Sequence, residues 1–310
     1  MKILSLGEIL WDVFDDAERL GGAPFNFAVN AKRLGHDVRF VSAVGADERG
    51  RRALAAMDEQ GLPRDFVGSI EGRATGTVAV RVDSAGQPAF TIARPAAYDF
   101  AALAAADLEA IERWSPDWIY FGTLHQLSEG GREATRRAIA AAPRARRFYD
   151  VNLRKDSYTP ELVAALARQA TVLKVNEEEL PVLAEICGLP ASPREAFCRA
   201  AGYEAVAVTL GAKGCAALAG GEYVESPARR IEVKDTVGAG DAFATAFLHG
   251  LANSWPAARI ADFANRAGAL AASRQGALPE SIADEMLGLP KPLAICVSDL
   301  LHAVGGPDES

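Results

Sequence analysis

The chain has 310 residues, 49% of them hydrophobic and 24% charged, with a formal net charge of −8. That composition excludes fibrous and disordered classes, and the acidic balance excludes a general nucleic-acid binder, whose phosphate partner needs a basic surface. No run approaches the roughly 18 apolar residues of a membrane span, and four cysteines without CxxC spacing plus four scattered histidines indicate neither a disulfide framework nor zinc. The chain therefore reads as a cytoplasmic globular protein, a single α/β domain over 1–310. In chain order, residues 3–6 read as a first strand, without the basic flank of a signal peptide. Residues 25–34 follow as an amphipathic helix that Gly35 closes. Strands at 38–44, 118–121, 147–151, 172–175 and 206–210 alternate with helical stretches such as 51–60, closed by Gly61. This alternation predicts a doubly wound, mostly parallel sheet flanked by helices. One region breaks it: residues 76–82 and 89–93 read as a hairpin around the turn 83–88. That hairpin is expected to pair with 13–20, giving a small β-sheet lid formed from about 13–20 and 76–98. Residues 216–219 and 222–225 flank Gly220-Gly221 as a second hairpin, a helix over 259–273 follows, and 291–310 reads as a peripheral C-terminal extension with a frayed end.

The stretch Asp-Thr-Val-Gly-Ala-Gly-Asp-Ala-Phe at 235–243 sets small residues directly before a helix-like run, with the carboxylate of Asp241 at the junction. Backbone N–H groups can approach an anion there, and a helix N-terminus adds about half a positive charge. A Walker loop would need a lysine and a hydroxyl after the second glycine, and a dinucleotide fingerprint would need glycine where Phe243 stands. Asp241 keeps two readings: a helix cap, or a base taking a proton from a hydroxyl that attacks the phosphate. Phe243 and Phe247, at i, i+4 spacing, anchor the helix.

Other polar residues carry a similar double reading. Asp12 ends the apolar run 9–11 and can accept hydrogen bonds from two vicinal hydroxyls, or is a solvated strand end. Asn26 offers donor and acceptor beside Gly21 and Gly22, or is an ordinary first-turn residue after Pro24. Asn152 and Arg154 follow a strand, at the end where open α/β sheets bind ligands. Asn176 and Glu179 have capping-box spacing. Thr209, Gly211, Lys213 and Gly214 belong to a tight turn, Asn265 to a helix, and Asp47 stands where the next helix needs an N-cap. Tyr98 and Phe100 could stack on a neutral sugar ring, whereas Arg81 and Arg94 would suit an acidic one.

The stretch DTVGAGDAF closely resembles the C-terminal signature of the ribokinase-like (PfkB) carbohydrate kinases, and GG-APFN-FAVNAKRLG resembles their first signature, about 210 residues earlier. The resemblance covers about residues 1–285, and DVNLR is similar to the DxNxR stretch of fructokinase-type members. It implies an ATP-dependent sugar kinase in which Asp241 deprotonates the sugar hydroxyl while the Gly238, Ala239 and Gly240 amides stabilise the transferred phosphoryl group. It implies a sugar site at Asp12, Gly22, Asn26, Asn152 and Arg154, beside which Tyr98 is counted. A nucleotide side is implied at Asn176, Thr209, Gly211, Lys213, Gly214 and Asn265, with magnesium near Glu179. ATP and Mg2+ are the implied cofactors, a monovalent cation such as K+ a further one, and a homodimer paired through its lids the implied assembly. Fructose, phosphorylated at O6, is the expected substrate. The 2-keto-3-deoxygluconate kinases share the framework, ribokinase and adenosine kinase are further alternatives, and a non-catalytic sugar-binding homologue is the rival from another class. An intact Asp241 argues against that rival.

Overall fold

The computed structural model describes residues 1–82, 88–154 and 157–278. Its first strand, β1 (Lys2–Leu6), buries four of five residues, the pattern of a strand covered on both faces. The chain continues through β2 (Leu10–Val13), β3 (Glu18–Gly21), α1 (Ala23–Arg33), β4 (Asp37–Gly45), α2 (Glu48–Glu59), β5 (Phe66–Ile70), β6 (Gly76–Val82) and β7 (Pro88–Ile92). Next come α3 (Ala105–Trp114), β8 (Trp118–Gly122), α4 (Glu129–Ala141), β9 (Arg146–Asp150), α5 (Pro160–Gln169), β10 (Val172–Asn176), α6 (Glu179–Cys187) and α7 (Arg194–Ala200). The described part ends with β11 (Ala205–Thr209), β12 (Gly214–Ala219), β13 (Glu222–Pro227), α8 (Ala239–Ala252) and α9 (Ala257–Ala272).

Nine strands form one sheet in the order β13-β12-β11-β10-β9-β8-β1-β4-β5. Its pairings from β11 to β5 are parallel, and β12 and β13 extend it antiparallel, as the second hairpin signal predicts. The chain leaves β1 toward β4 and β5, then returns to β8 on the other side. The C-terminal ends of β1 and β8 thus mark a topological switch point, where sheets of this kind open a crevice for ligands. Successive strand residues face opposite layers. Tyr120 and Phe148 join Phe27 and Phe247 on one face, while Phe121 and Tyr149 join Leu173 and Phe197 on the other.

A second sheet, β3-β2-β6-β7, stands apart from the first. The hairpin strands expected at 76–82 and 89–93 are β6 and β7, and the turn between them lies outside the described residues. The small sheet expected from 13–20 and the hairpin forms, with its partner strand starting earlier than expected. β6 pairs in parallel with β2, from Leu10 opposite Gly76, and β3 closes the far edge. β5 also escaped the sequence reading, because its short segment includes exposed Gly68 and Ser69 and shows no clean alternation. The extension at 291–310 lies outside the described residues. Local signals hold at the helix ends: Gly35 and Gly61 take positive φ after α1 and α2, and Asp47 caps α2 by accepting from the Gly50 amide at 2.7 Å.

Candidate active site

α8 starts at the switch-point crevice, capped by Gly238 in the left-handed region at φ 79°. Only glycine fits, since a Cβ there would lie 2.6 Å from the Ala277 backbone. The amides of a first helical turn lack intrahelical acceptors, which makes this end an anion site. One amide of the expected trio is committed elsewhere: Ala239 N donates to the Thr236 carbonyl at 3.2 Å. In this conformation the Ala239 amide is thus not free for an anion. Asp235 ties the preceding loop together, accepting from the Val237 and Gly276 amides and from Arg19 of β3.

Asp241, buried in the first turn of α8, does not cap the helix. Its Oδ2 accepts from Asn26 Nδ2 of α1 at 2.8 Å, so the two sequence motifs meet in one hydrogen bond. Burial raises the Asp241 pKa to about 6, against the Asn26 hydrogen bond that favours the charged form, with Asp150 pushing it further up. A carboxylate so tuned is a usable base near neutral pH.

Three neighbours were not singled out from the sequence. Lys174, in β10, donates to Asp150 Oδ1 at 2.8 Å, and Asp150 Oδ2 accepts from Tyr120 at 3.0 Å. The pair is buried, and the ammonium lies 3.6 Å from where a Cβ on Gly240 would sit. Burial opposes the Lys174 charge, but Asp150, Glu179 and Asp241 outweigh it and raise its pKa. The available signal was a lysine inside the apolar run Val172–Val175, an expensive residue in a doubly covered strand.

The residues expected at the acceptor end lie on the β1–β2–β3 turn and the start of α1. A Cβ on Gly21 would lie 3.2 Å from Asp12 Oδ2 and 4.0 Å from the Asn26 amide, so Asp12 and Asn26 face one space that glycine keeps open. Gly22, at φ 110°, precedes α1 and packs over Glu8, another residue the motifs do not mark. Burial raises Asp12 to about 6 and Glu8 to about 7, while Arg154 draws both down. Arg154 also lowers Asp241, which places one guanidinium in the field of two buried carboxyls and the half-buried Asp12. Asn152 turns the chain toward it with φ 39°. Tyr98 does not meet its expected stacking role, because the ring is fully buried against Gly76 and presents no face. Arg94 donates to Asp99 and to the Leu124 carbonyl. Arg81 has no described side chain.

The remaining residues lie along the ends of β10–β13. Asn176 Oδ1 accepts from the Glu178 and Glu179 amides, and Glu179 Oε2 accepts in return from Asn176 N at 2.9 Å, a reciprocal cap. Glu179 Oε1 also accepts from Leu153 N, so both oxygens hold backbone. Among the described residues no three His, Cys, Asp or Glu gather to hold a metal, and Glu179 by itself makes no metal centre. Thr209 ends β11, and Gly211 and Gly214 take positive φ in the turn to β12. Lys213 pairs with Glu177 in solvent. Asn265 does not reach outward as expected of a nucleotide contact; its Nδ2 donates to the Ser226 carbonyl at 3.0 Å and ties α9 to β13.

The pfkB family carbohydrate kinase model matches residues 5–283. The chain belongs to the pfkB family of carbohydrate kinases. It is 32% identical over 304 residues to the fructokinase of Klebsiella pneumoniae, spanning 89% of this chain and 95% of that one. Aminoimidazole riboside kinase of Salmonella typhimurium is 29% identical over 278 residues, 83% of each chain. A fructokinase from Xylella fastidiosa, solved with bound ATP, superposes with a TM-score of 0.78 at 26% identity, covering 92% of this chain and 97% of that one. As a pfkB kinase the chain has a ribokinase-like fold, and no described helix is long and apolar enough to cross a membrane.

Proposed function

We propose that the protein transfers the γ-phosphoryl group of ATP to a primary sugar hydroxyl, most naturally O6 of D-fructose. The observation that carries this reading is the 2.8 Å hydrogen bond from Asn26 to Asp241, which joins the sugar-facing turn to the phosphate-facing helix. In the reaction, Asp12 and Asn26 orient the acceptor, and Asp241 takes the hydroxyl proton as its oxygen attacks phosphorus. The first-turn amides of α8 and the Lys174 ammonium then face the charge on the transferred group. Magnesium, arriving with the nucleotide phosphates, would screen their charge on the side of Asn176 and Glu179. The second sheet, tied to the α8 loop by Arg19 and Asp235 at 3.2 Å, acts as a lid that excludes water. A single domain, a homodimer paired through these sheets, and K+ near the 235–240 loop belong to the same reading.

Replacing Asp241 with Asn keeps the Asn26 contact within reach and removes the base. Turnover falls by about 10²- to 10⁴-fold while sugar affinity holds; an active variant would refute the mechanism. A second reading, an acidic acceptor such as 2-keto-3-deoxygluconate, is favoured by Arg154, whose guanidinium has no hydrogen-bond or ion-pair partner among the described residues, and by the cavity of about 1600 Å³ that it and Arg94 line. Comparing kcat/KM for fructose, 2-keto-3-deoxygluconate, ribose and adenosine separates the two.

A further inference from the structure

Beneath Gly22 lies a polar layer that the first signature marks only at Asn26. Glu8 follows β1 and is 4% exposed, and its Oε2 has no hydrogen-bond partner. Arg94, one of the two guanidiniums whose charge reaches it, is already committed to Asp99 and Leu124, and the other, Arg154, makes no hydrogen bond to it. Asn26 Oδ1 and the Tyr98 hydroxyl are likewise buried without a partner. Glu8 and Asn26 both abut Gly22. A Cβ on Gly22 would lie 2.5 Å from the Glu8 carbonyl and 3.4 Å from Glu8 Cγ, Asn26 N donates to Gly22 O at 2.8 Å, and the charge of Glu8 reaches Tyr98. Each buried polar group left unpaired costs about 1–3 kcal/mol, and such groups persist where a ligand completes them.

Their chemistry narrows what that ligand offers. Asn26 is oriented by its Nδ2 bond to Asp241, which leaves Oδ1 as an acceptor turned away from the base. Glu8 adds a second acceptor, and only a donor can bridge the two. A ligand hydroxyl does so, and the missing side chain at Gly21 leaves space beside Asn26. We propose that Glu8 and Asn26 Oδ1 form a second hydroxyl-recognition layer of the acceptor site, distinct from Asp12, in which Glu8, backed by the Tyr98 hydroxyl, determines specificity for polyhydroxylated acceptors. This rests on the sugar-kinase reading above.

The test combines Glu8→Gln and Tyr98→Phe with steady-state kinetics and thermal melts, using D-fructose and its monodeoxy analogues, or the equivalent set for whichever acceptor of the panel turns over best. Glu8→Gln is expected to raise acceptor KM at least tenfold with ATP KM unchanged and kcat within about threefold. The wild type should discriminate against one deoxy analogue, and that discrimination should collapse in Glu8→Gln alone. Both variants should melt at or above the wild-type temperature without ligand near pH 8, because Glu8→Gln removes a buried charge and Tyr98→Phe an unpaired hydroxyl, and both should lose part of the acceptor-induced rise. Should Glu8→Gln not fold, Tyr98→Phe carries the same readout through its smaller KM increase. Unchanged acceptor KM in the folded variants, or equal losses for every deoxy analogue, overturns the proposal while leaving the kinase reading intact. Absence of wild-type turnover with every acceptor overturns both.

Discussion

Lys174→Met removes a buried ammonium while keeping most of the side-chain stem, and it separates the two tasks assigned to that charge. At 2.8 Å the attraction to Asp150 is about 6 kcal/mol for an effective dielectric near 20, much of which offsets the desolvation of both groups. Removing one partner leaves the other charged and unpaired, a loss of about 3–5 kcal/mol. With roughly 2–4 °C per kcal/mol for a large domain, melting should fall by roughly 6–20 °C. Lys174→Met/Asp150→Asn removes the stranded carboxylate and should recover most of that loss. Activity should not recover with it, because the positive charge beside Gly240 is missing from both variants, and kcat/KM should stay about 10²- to 10³-fold down. The assay is a coupled ADP-release measurement run beside differential scanning calorimetry. A double variant with restored melting and kcat/KM within tenfold of wild type would refute the catalytic assignment and make the ion pair purely structural.

The acid limb of kcat/KM should fall near pH 6, because Asp241 must be ionised to act as base and its pKa is raised to about 6. Asp12 is raised to the same region, so the limb should steepen beyond tenfold per pH unit if both carboxylates must be charged. Asn26→Ala removes the hydrogen bond that favours charged Asp241 and should move the limb to higher pH, a pH–rate profile being the check. Stability follows the opposite sign from a salt-bridged acid. The folded pKa of Asp241 lies above its ordinary 3.8, so folding binds more protons, and its contribution is fullest below about pH 4 and lost as pH rises through 6. Asp241→Asn should therefore be more stable than wild type by about 2–3 kcal/mol at pH 8, with the gain fading toward pH 4 in pH-resolved denaturant melts. Gly238→Ala meets both a positive φ and the Ala277 backbone, and should weaken ATP binding measured by titration calorimetry while leaving the acceptor end in place.

Much of this architecture is legible from local chemistry. The apolar runs that become β1, β8, β10 and β11 bury nearly every residue, so period and composition mark them without tertiary information. Asp47 and Asn176 cap as their spacing predicts. What stayed hidden is relational. β2 has only four residues and pairs with β6 across more than sixty positions, and no local pattern specifies that partner. Asp12, Asn26 and Asp241 could be read one at a time as strand end, helix turn and cap. The contact of Asn26 with Asp241 depends on α1 packing against α8, which is a property of the sheet order. Asn265 erred in the other direction: its helix position suggested an outward amide, whereas the carbonyls ending β13 claim it.

The charges explain why these residues must be brought together rather than merely placed nearby. A base that is to serve beside a phosphate cradle faces conflicting demands, since its negative charge opposes the anion that the helix end attracts. Here Asn26 shields one carboxylate oxygen of Asp241 on the acceptor side, and Lys174 adds positive charge on the cradle side. Arg154 lowers the pKa of Glu8, Asp12 and Asp241 together. Burial drives the same three carboxyls upward, so the site without ligands is destabilised by its own acids. An acceptor whose hydroxyls satisfy Asp12 and Asn26 relieves part of that cost, and a phosphoryl group arriving at Gly240 meets Lys174 instead of an uncompensated carboxylate. On the proposed reading, binding at either end is thereby coupled through Asp241, which Asn26 holds from the side of α1 and which sits in the first turn of α8. The coupling should appear as tighter acceptor binding when nucleotide is present, and Asn26→Ala should weaken it.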